Sequence, residues 1–415
     1  VKLNNHKGGE NMKVNRIEQH NINKNNKNFK IIDNLCFKSK NVYNFANYII
    51  RQEFINNNIW IGYNQIANIV KESEPYKDLG SNVGQQTLKI LDKNWKSFFV
   101  AIKDWSKNPK KYLGKPKLPK YKEKDGRFVL GIDNIKAHLE NGYLRFSWKP
   151  LKPLNNIYKT NIKGKLIQVR FVPHKSHYTM EIVYEIEVPE CDLESKRIVG
   201  IDLGVDNFAT VSNNAGLQPF IVNGRIIKSM NQYYNKKKAI LQSDLIKQNG
   251  LHWSNRLQQL TVKRNNKVQY FIHKASKYIV DWCVLYGIDT VVIGNNVGWK
   301  QESQLSKRVN QNFINIPYLM FINQLSYKCE NNGIKFIITE ESYTSGTSFI
   351  DKELPIKENY NKARRIQRGL FQSNSGMKIN ADLNGSYQII KKVFPNAFSN
   401  GIEGAGSHPV RVNIN

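Results

Sequence analysis

An ordered series of apolar runs from Lys196 onwards constrains the fold more than any other feature of the sequence. Three short runs come first, in the segments IVGIDLG, FATVSNN and PFIVNG. A long basic stretch from Arg225 to Gly287 follows, then DTVVIG, a stretch from Asn312 to Asn331, IKFIITEES and a final stretch that starts at NADLNGS. Short apolar runs bounded by turn residues predict strands, whereas the longer stretches predict helices. The predicted order is three strands, helices, strand, helix, strand and helix.

This order is typical of an RNase H-like α/β domain, which we predict over residues 196–415. Residues 38–125 are predicted to form a helical region with a basic linker, because apolar side chains recur at helical spacing between Thr87 and Trp105. Residues 126–195 hold short alternating runs between Gly, Asn and Pro clusters, which indicates a small antiparallel β domain. Residues 1–37 are predicted to contain a translated leader before Met12 and the start of that β domain.

The charge of the chain indicates its class of partner. The 415 residues include 63 Lys and Arg against 33 Asp and Glu, a net charge of +30. A compact fold with this excess repels itself unless a polyanion neutralises it, so we expect a nucleic-acid partner. A ribosomal or architectural protein would satisfy the same charge. With 40% hydrophobic residues the chain is not a wholly disordered basic protein.

The linker from Lys103 to Asp125 concentrates this positive charge. It carries nine lysines, and three prolines interrupt any helix there. A solvated connector is one interpretation, and contact with phosphates is the one we favour. The lysines predicted to bind nucleic acid are Lys110, Lys111, Lys115, Lys117 and Lys120.

No apolar run approaches the roughly 20 residues of a membrane span, and no secretory signal is visible at the start of the sequence. We therefore expect a soluble, cytoplasmic bacterial protein. The four cysteines are widely separated, so the sequence predicts neither a disulfide framework nor a Cys-pair zinc site.

Acidic residues stand at three points of the predicted α/β domain. Asp202 lies inside an apolar strand, where a carboxylate must be paired, hydrogen-bonded or bound to metal. Glu340 and Glu341 follow the strand Phe336 to Ile338, and Asp382 falls in the first turn of the last helix. Each has a structural alternative, namely a turn bond near Gly204, solvated strand ends and a helix cap. Carboxylates that converge from separate elements are what two-metal phosphodiester hydrolysis needs.

The sequence resembles the TnpB family of transposon-encoded proteins, the insertion-sequence OrfB proteins. The resemblance rests on ordered motifs of the second half: GIDLGVDNFAT, HKASKYIVDW, VVIGNNVGWKQ, TEESYTS and NADLNGS. It extends upstream through YNFANYIIRQEF, LDKNWKSFFVAIKDW, YLGKPKLPKY and DGRFVL. The resemblance implies an RNA-guided DNA endonuclease related to type V CRISPR effectors, with a RuvC nuclease domain. It also implies a β-barrel-like wedge domain with an inserted helical recognition domain, Asp202 as the first catalytic carboxylate and Asp382 as the last.

The chain departs from this family at two places. Many relatives carry a middle glutamate where this chain has Gly294. Because adjacent strands lie about 4.8 Å apart, a glutamate after the next strand could reach inward, and we favour Glu341 with Glu340 as the alternative. Many relatives also carry a Cys-pair zinc ribbon before the last helix, whereas residues 343–378 here contain no Cys.

We therefore expect magnesium, with manganese as a substitute, on Asp202, Glu341 and Asp382, and no zinc. Expected partners are a guide RNA and double-stranded target DNA, with no membrane and no small-molecule cofactor. A plain solvated loop is the alternative for 343–378, and a charged helix face is the alternative for the basic helical stretch. The residues predicted to bind nucleic acid in these two segments are Lys236, Lys237, Lys238, Arg256, Arg364, Arg365 and Arg368. A CRISPR-associated effector with a separate guide and a nuclease-dead RNA-guided repressor remain alternatives.

Overall fold

The computed structural model describes residues 12–191, 194–295, 316–399 and 408–414. The chain forms two compact units, one spanning Lys13–Glu187 and the other spanning Val188–Asn415 with the residues up to Met12. The division falls eight residues before the predicted start of the α/β domain at 196. The leader predicted before Met12 and most of the motif VVIGNNVGWKQ lie outside the described residues.

Strands and helices are both present in the first unit. Its four-stranded sheet has the order β1-β6-β5-β2, and β3 and β4 form a separate hairpin. The alternating exposure of side chains along β1 shows why this polar segment forms a strand with one face covered. The strands are β1 (Met12–Asn23), β2 (Leu130–Asp133), β3 (Ala137–Glu140), β4 (Tyr143–Phe146), β5 (Lys165–Pro173) and β6 (His177–Val188).

Four helices lie between β1 and β2. They are α1 (Phe29–Asn57), α2 (Tyr63–Val70), α3 (Glu74–Leu79) and α4 (Ser81–Lys107). The first begins nine residues before the predicted Lys38, because Ile32 and Cys36 already follow the helical spacing of the buried stripe. Trp95 of α4 is fully buried, and Phe98 and Phe99 pack against the same core. These aromatic side chains therefore belong to the core, as their spacing indicated.

Three side chains of α1, spaced one turn apart along the helix, hold the basic linker by hydrogen bonds to its backbone. Asn44 donates to the carbonyl of Lys122 at 2.9 Å, and Asn47 and Arg51 both donate to the carbonyl of Pro119, at 3.0 and 2.9 Å. Contrary to the prediction of an extended connector from Lys103, α4 continues through the first five linker residues to Lys107, and after the short 3₁₀ turn at Pro109–Lys111 the rest of the linker has no helix. It is therefore an anchored extended segment.

A six-stranded mixed sheet forms the centre of the second unit, with the order β11-β10-β7-β8-β9-β14. β7 pairs in parallel with β10 and antiparallel with β8, and β10 pairs in parallel with β11. The strands are β7 (Ile198–Leu203), β8 (Asn207–Asn213), β9 (Phe220–Asn223), β10 (Thr290–Gly294), β11 (Lys335–Thr339), β12 (Leu370–Gln372), β13 (Lys378–Asn380) and β14 (Val410–Val412). β12 and β13 form their own small hairpin.

Among the described residues of this unit, the α-helices are α5 (Arg225–Asn249), α6 (Asn255–Leu285), α7 (Tyr318–Glu330) and α8 (Ala381–Val393). The basic stretch from Arg225 to Gly287, which was predicted to be helical, forms two helices. Gly250 ends α5 in a left-handed conformation, and the Ser254 side chain caps α6 by accepting from the amide of Leu257. No helix of the described residues is both long and apolar enough to cross a membrane. The predicted mixed α+β, multidomain architecture is confirmed.

Candidate functional site

Three adjacent parallel strands of the second unit, β7, β10 and β11, end at one edge of the sheet. Ile293 of β10 lies beside Ile201 of β7, so Gly294 and Asp202 are next to each other in the register. Gly294 also lies beside Thr339, the last residue of β11. The segment that follows β11, which contains Glu340 and Glu341, therefore starts at the edge where Asp202 lies.

Glu341 lies against Gly294. A Cβ atom built on Gly294 would lie 2.4 Å from Oε1 of Glu341 and 2.5 Å from its Cγ. The Oε1 atom of Glu341 is buried. The glutamate therefore occupies space that any side chain at position 294 would need, and the glycine is what makes this approach possible.

Glu340 points elsewhere. Its side chain is 68% exposed and forms an ion pair with Lys392 at 2.9 Å. The Ser342 hydroxyl also donates to Glu340, and both contacts lower the pKa of its carboxyl. Of the two adjacent glutamates, the structure brings Glu341 to the strand edge and leaves Glu340 at the surface.

Asp382 reaches the site from α8, which packs across the sheet. The cap of this helix is Asn380, whose side-chain oxygen accepts from the amides of Asp382 and Leu383, both at 3.1 Å. The Asp382 carboxylate is therefore not needed as a cap. It accepts instead from Asn207 Nδ2 at 2.7 Å and from Arg365 Nη2 at 2.8 Å.

Close packing of α8 on β7 brings Asp202 to the start of the helix. A Cβ atom on Gly385 would lie 3.1 Å from Oδ2 of Asp202, which is tighter than most real Cβ contacts. A larger residue at 385 would push α8 away from the strand. The glycine in the motif NADLNGS thus allows the carboxylates of Asp202 and Asp382 to approach.

Burial and the neighbouring acids raise the cost of ionising Asp202. The Asp202 residue is partly exposed, but protein atoms closely surround its carboxyl group. This burial of the carboxyl group raises the pKa of Asp202 well above its ordinary value. The neighbouring Glu341 and Asp382 raise it further, while Arg365 lowers it. Burial raises the pKa of Glu341 to about 7. Paired acids with raised pKa values are typical of a functional site.

The side-chain chemistry of Asp202, Glu341 and Asp382 is suited to a divalent cation. Three carboxylates form an oxygen-only donor set, which suits Mg²⁺. Within residues 12–191, 194–295, 316–399 and 408–414, however, no group of three or more His, Cys, Asp or Glu side chains is arranged to hold a metal ion. Both oxygens of Asp382 accept protein hydrogen bonds, and the Arg365 guanidinium supplies the positive charge beside it.

Arg364, Arg365 and Arg368 all form ion pairs within the chain. Arg364 pairs with Glu353 at 2.6 Å, where both side chains are largely buried. Arg365 pairs with Asp382, and Arg368 pairs with Asp206 at 2.7 Å. Arg364 is therefore a buried contact within the insertion, which argues against its predicted role on phosphates.

The predicted lysines lie on the surface, with few internal partners. In the linker, Lys110, Lys115, Lys117 and Lys120 are exposed, and Lys111 forms an ion pair with Asp104 at 2.7 Å. On α5 and α6, Lys236, Lys237 and Arg256 are exposed, and Lys238 is half-buried.

Sequence reasoning missed two residues at the site. Asn207 donates to Asp382, and the buried Tyr318 at the start of α7 donates to the carbonyl of Gly204 at 2.8 Å. Burial, Asp202 and Glu341 raise the pKa of Tyr318. Asn207 stands in the motif GIDLGVDNFAT, whereas Tyr318 has the pattern of an ordinary core residue and no sequence signal.

Two family models match the second half of the chain. Residues 181–300 match OrfB_IS605, described as a probable transposase, and residues 318–389 match the Cas12f1-like TNB domain. The TnpB-like protein ORF457 of Acidianus two-tailed virus is 23% identical over 398 residues, covering 85% of this chain and 81% of that protein.

Two solved structures share the fold. The structure of the Cas12f1-sgRNA-target DNA complex matches with a TM-score of 0.57 at 15% identity, covering 87% of this chain and 82% of the other. The structure of the mini-RNA-guided endonuclease CRISPR-Cas_phi3 matches with a TM-score of 0.50 at 9% identity, covering 95% and 93%. The two family models and the viral relative confirm the resemblance to the TnpB family that the ordered motifs predicted.

Proposed function

We propose that this chain is a transposon-associated, RNA-guided DNA endonuclease that cuts target DNA beside a short adjacent motif. In this proposal the sheet of the second unit is a RuvC-like nuclease domain. The strands of the first unit form the wedge domain, and helices α1–α4 form the inserted recognition domain. The transposase family match and the TnpB-like relative support this assignment.

The observation that carries the proposal is the position of Glu341. Its side chain fills the space above Gly294, beside the strand that bears Asp202. The third carboxylate, Asp382, acts on the charge of Asp202 from α8. We infer that Glu341 replaces the glutamate that many relatives carry at the end of the fourth strand, and that the three acids form one active site.

These residues would hold Mg²⁺ in the active complex. When bound, the metal supplies an activated water and stabilises the leaving oxygen of a phosphodiester. The chain supplies the negative charge that binds the cation, since Asp202 and Glu341 are expensive to ionise while no cation is bound. Release of Arg365 from Asp382 would leave more of that carboxylate's negative charge for the cation, and the guanidinium would then be free to contact the DNA backbone.

A cleavage assay tests this function. The purified complex should carry RNA, and it should cut double-stranded DNA that matches the RNA and carries the adjacent motif. Cutting should require Mg²⁺ or Mn²⁺ and stop with chelator. Asp202→Asn should bind RNA and target as the unaltered protein does and cut at least about 10³-fold more slowly. If protein stripped of RNA cut DNA equally well, the proposed RNA guidance would be wrong.

A second function, RNA-guided binding without cleavage, is favoured by one observation. Arg365 neutralises Asp382, and in the described part of the chain the acids do not surround a common point. If this pair persists in the complex, the protein would act as a repressor. Target binding at unaltered affinity without any cutting in Mg²⁺ or Mn²⁺ would support that function over the endonuclease.

A further inference from the structure

Helices α5 and α6 enclose a groove with an unusual lining. A cavity of about 430 Å³ lies between them, within the roughly 300–1,000 Å³ of ligand pockets. A second cavity of about 410 Å³ continues along the same helices and shares Tyr233, Leu260 and Lys263 with the first. The two cavities thus form one groove, which we call the hairpin groove, lined by Tyr233, Tyr234, Lys237, Arg256, Leu260, Lys263, Arg264 and Lys267 among others.

Hydrogen bonds fix the floor of the hairpin groove. The Tyr234 hydroxyl lies 3.0 Å from the hydroxyl of Thr261 on the facing helix. Arg264 donates twice to the side-chain oxygen of the buried Asn231, at 2.8 and 2.6 Å, and its guanidinium lies over the Tyr234 ring. These contacts hold one tyrosine and one arginine in place before any ligand arrives.

Tyr233 stands beside this floor and is 61% exposed. Such an exposed ring next to fixed cations offers a face on which a planar group can stack. Aromatic side chains in basic grooves typically stack on unpaired nucleobases, because every base has a π-face.

The charges of the groove select a polyanion. Three cations line the first cavity, namely Lys263, Arg264 and Lys267, and no acidic residue lines it. In the second cavity Lys237, Arg256 and Lys263 outnumber Asp244. Among the described residues, neither Lys263 nor Lys267 has an acidic side chain within 4.0 Å. Both ammonium groups are therefore available to phosphates.

We propose that the hairpin groove binds an unpaired segment of the guide RNA, with one base stacked on Tyr233 and adjacent phosphates on Lys263 and Lys267. This inference rests on the proposed function. The occupant is the RNA because a chain with a net charge of +30 needs a polyanion before any target DNA arrives. An A-form duplex buries its base faces in the stack, so a duplex cannot use the tyrosine in this way.

Binding measurements on the full chain test the inference. The probes are a mixed-sequence single-stranded RNA of about 15 nucleotides, an RNA hairpin duplex and a poly-glutamate peptide. Tyr233→Ala should weaken binding of the single strand roughly tenfold, and Tyr233→Phe should retain it within about twofold, because the ring is kept. Binding of the duplex should change by less than about twofold for both variants.

Two controls separate stacking from folding and from general charge. Tyr270→Ala removes a tyrosine of α6 that is 57% exposed and does not line the groove, and it should leave binding unchanged. The double variant Lys263→Ala/Lys267→Ala should lower the slope of log affinity against log salt by about 1.4, or about 0.7 per phosphate of a single strand. Thermal melting should show that every variant folds.

The outcomes distinguish this inference from the function on which it rests. If the unaltered protein binds no RNA, both fail. If it binds RNA and cuts DNA but Tyr233→Ala matches it on the single strand, the groove assignment alone is overturned. Equal losses on single strand and duplex, or displacement of the RNA by poly-glutamate at matched charge, would also overturn it in favour of a non-stacking or acidic-peptide surface.

Discussion

The carboxylate site and the neighbouring insertion both bury acidic side chains, but they neutralise them differently. In the insertion, Glu353 is 16% exposed and accepts from Arg364 at 2.6 Å and from the amide of Ser348 at 2.8 Å. At the site, burial and neighbouring acids raise the pKa of Asp202, and burial raises that of Glu341. The insertion holds its buried acid in an ion pair with Arg364, whereas the site holds negative charge that is only partly compensated.

This difference separates a structural acid from a functional one. Removing one partner of a buried ion pair leaves an uncompensated buried charge, which is strongly destabilising. Acids with raised pKa values lower the stability of the fold and are retained where function needs them. Removing an acidic charge from the insertion should therefore lower the stability of the fold. Removing one from the site should instead slow cleavage.

The largest expected effect compares the two adjacent glutamates. Glu341→Gln should slow cleavage of target DNA by the RNA complex on the order of 10³-fold, because the site loses one of three charged donors. Glu340→Gln is the matched control and should cut within about twofold, since this side chain is exposed and paired with Lys392. Single-turnover cleavage with saturating complex measures both, and RNA and target binding should be unaltered.

Combining Glu341→Gln with Asp382→Asn should cost little more than either change alone, since one lost donor already disrupts a shared site. Additive losses would contradict a common site. Full activity in Glu341→Gln would end the relocation hypothesis, and loss only in Glu340→Gln would move the role to the other glutamate.

The next prediction exchanges the positions of the glycine and the glutamate. Gly294→Glu alone should impair cleavage more than about tenfold, because its Cβ would lie 2.4 Å from Oε1 of Glu341. Combined with Glu341→Gly, the new side chain gains the vacated space and should recover at least about tenfold over Glu341→Gly alone. The cleavage rate measures the rescue, and Gly294→Gln/Glu341→Gly is the uncharged control. No rescue would mean that position 294 is not where the glutamate is needed.

The insertion should respond through stability. Glu353→Ala leaves Arg364 buried without its partner and should lower the free energy of unfolding by about 3 kcal/mol. The exposed pair Lys277–Asp281 is the control, with side chains 69% and 59% exposed, and Asp281→Ala should cost less than about 0.5 kcal/mol. Urea denaturation measures both. Equal small losses would show that the insertion does not depend on the Glu353–Arg364 pair.

Sequence patterns predicted the strand that carries Asp202, and for a separate reason they predicted that one of the two adjacent glutamates faces the site. The apolar run around Asp202 reflects burial on a central strand, which local sequence records. Because successive strand residues face opposite sides, only one of Glu340 and Glu341 was expected to face the site, and the structure turns Glu341 inward. Both inferences concern neighbours within a few residues.

Contacts between residues distant in sequence could not be predicted in this way. Arg365 is predicted to contact phosphates, and the local sequence does not show that it pairs with Asp382, 17 residues away across a hairpin. The partnership of Asn207 with Asp382, 175 residues away, likewise depends on how α8 packs over the sheet. The basic linker gave no sign that Asn44, Asn47 and Arg51 anchor it.

The smallest expected effect is a difference in pH dependence between the adjacent glutamates. Burial raises the pKa of Glu341 from 4.5 to about 7, so the folded protein holds a proton that the unfolded chain has lost. The free energy of unfolding therefore falls as pH rises from about 4.5 to about 7, by about 1 to 3 kcal/mol for this group. Glu340 has a lowered pKa, so its contribution to the free energy of unfolding is present above pH 4.5 and is lost as pH falls.

In chelator, Glu341→Gln should thus gain stability over the unaltered protein above pH 7 and not below pH 4.5, whereas Glu340→Gln should not gain at high pH. Urea denaturation across this pH range measures both differences, and a Glu341→Gln gain that is independent of pH would show that the raised pKa is not its cause.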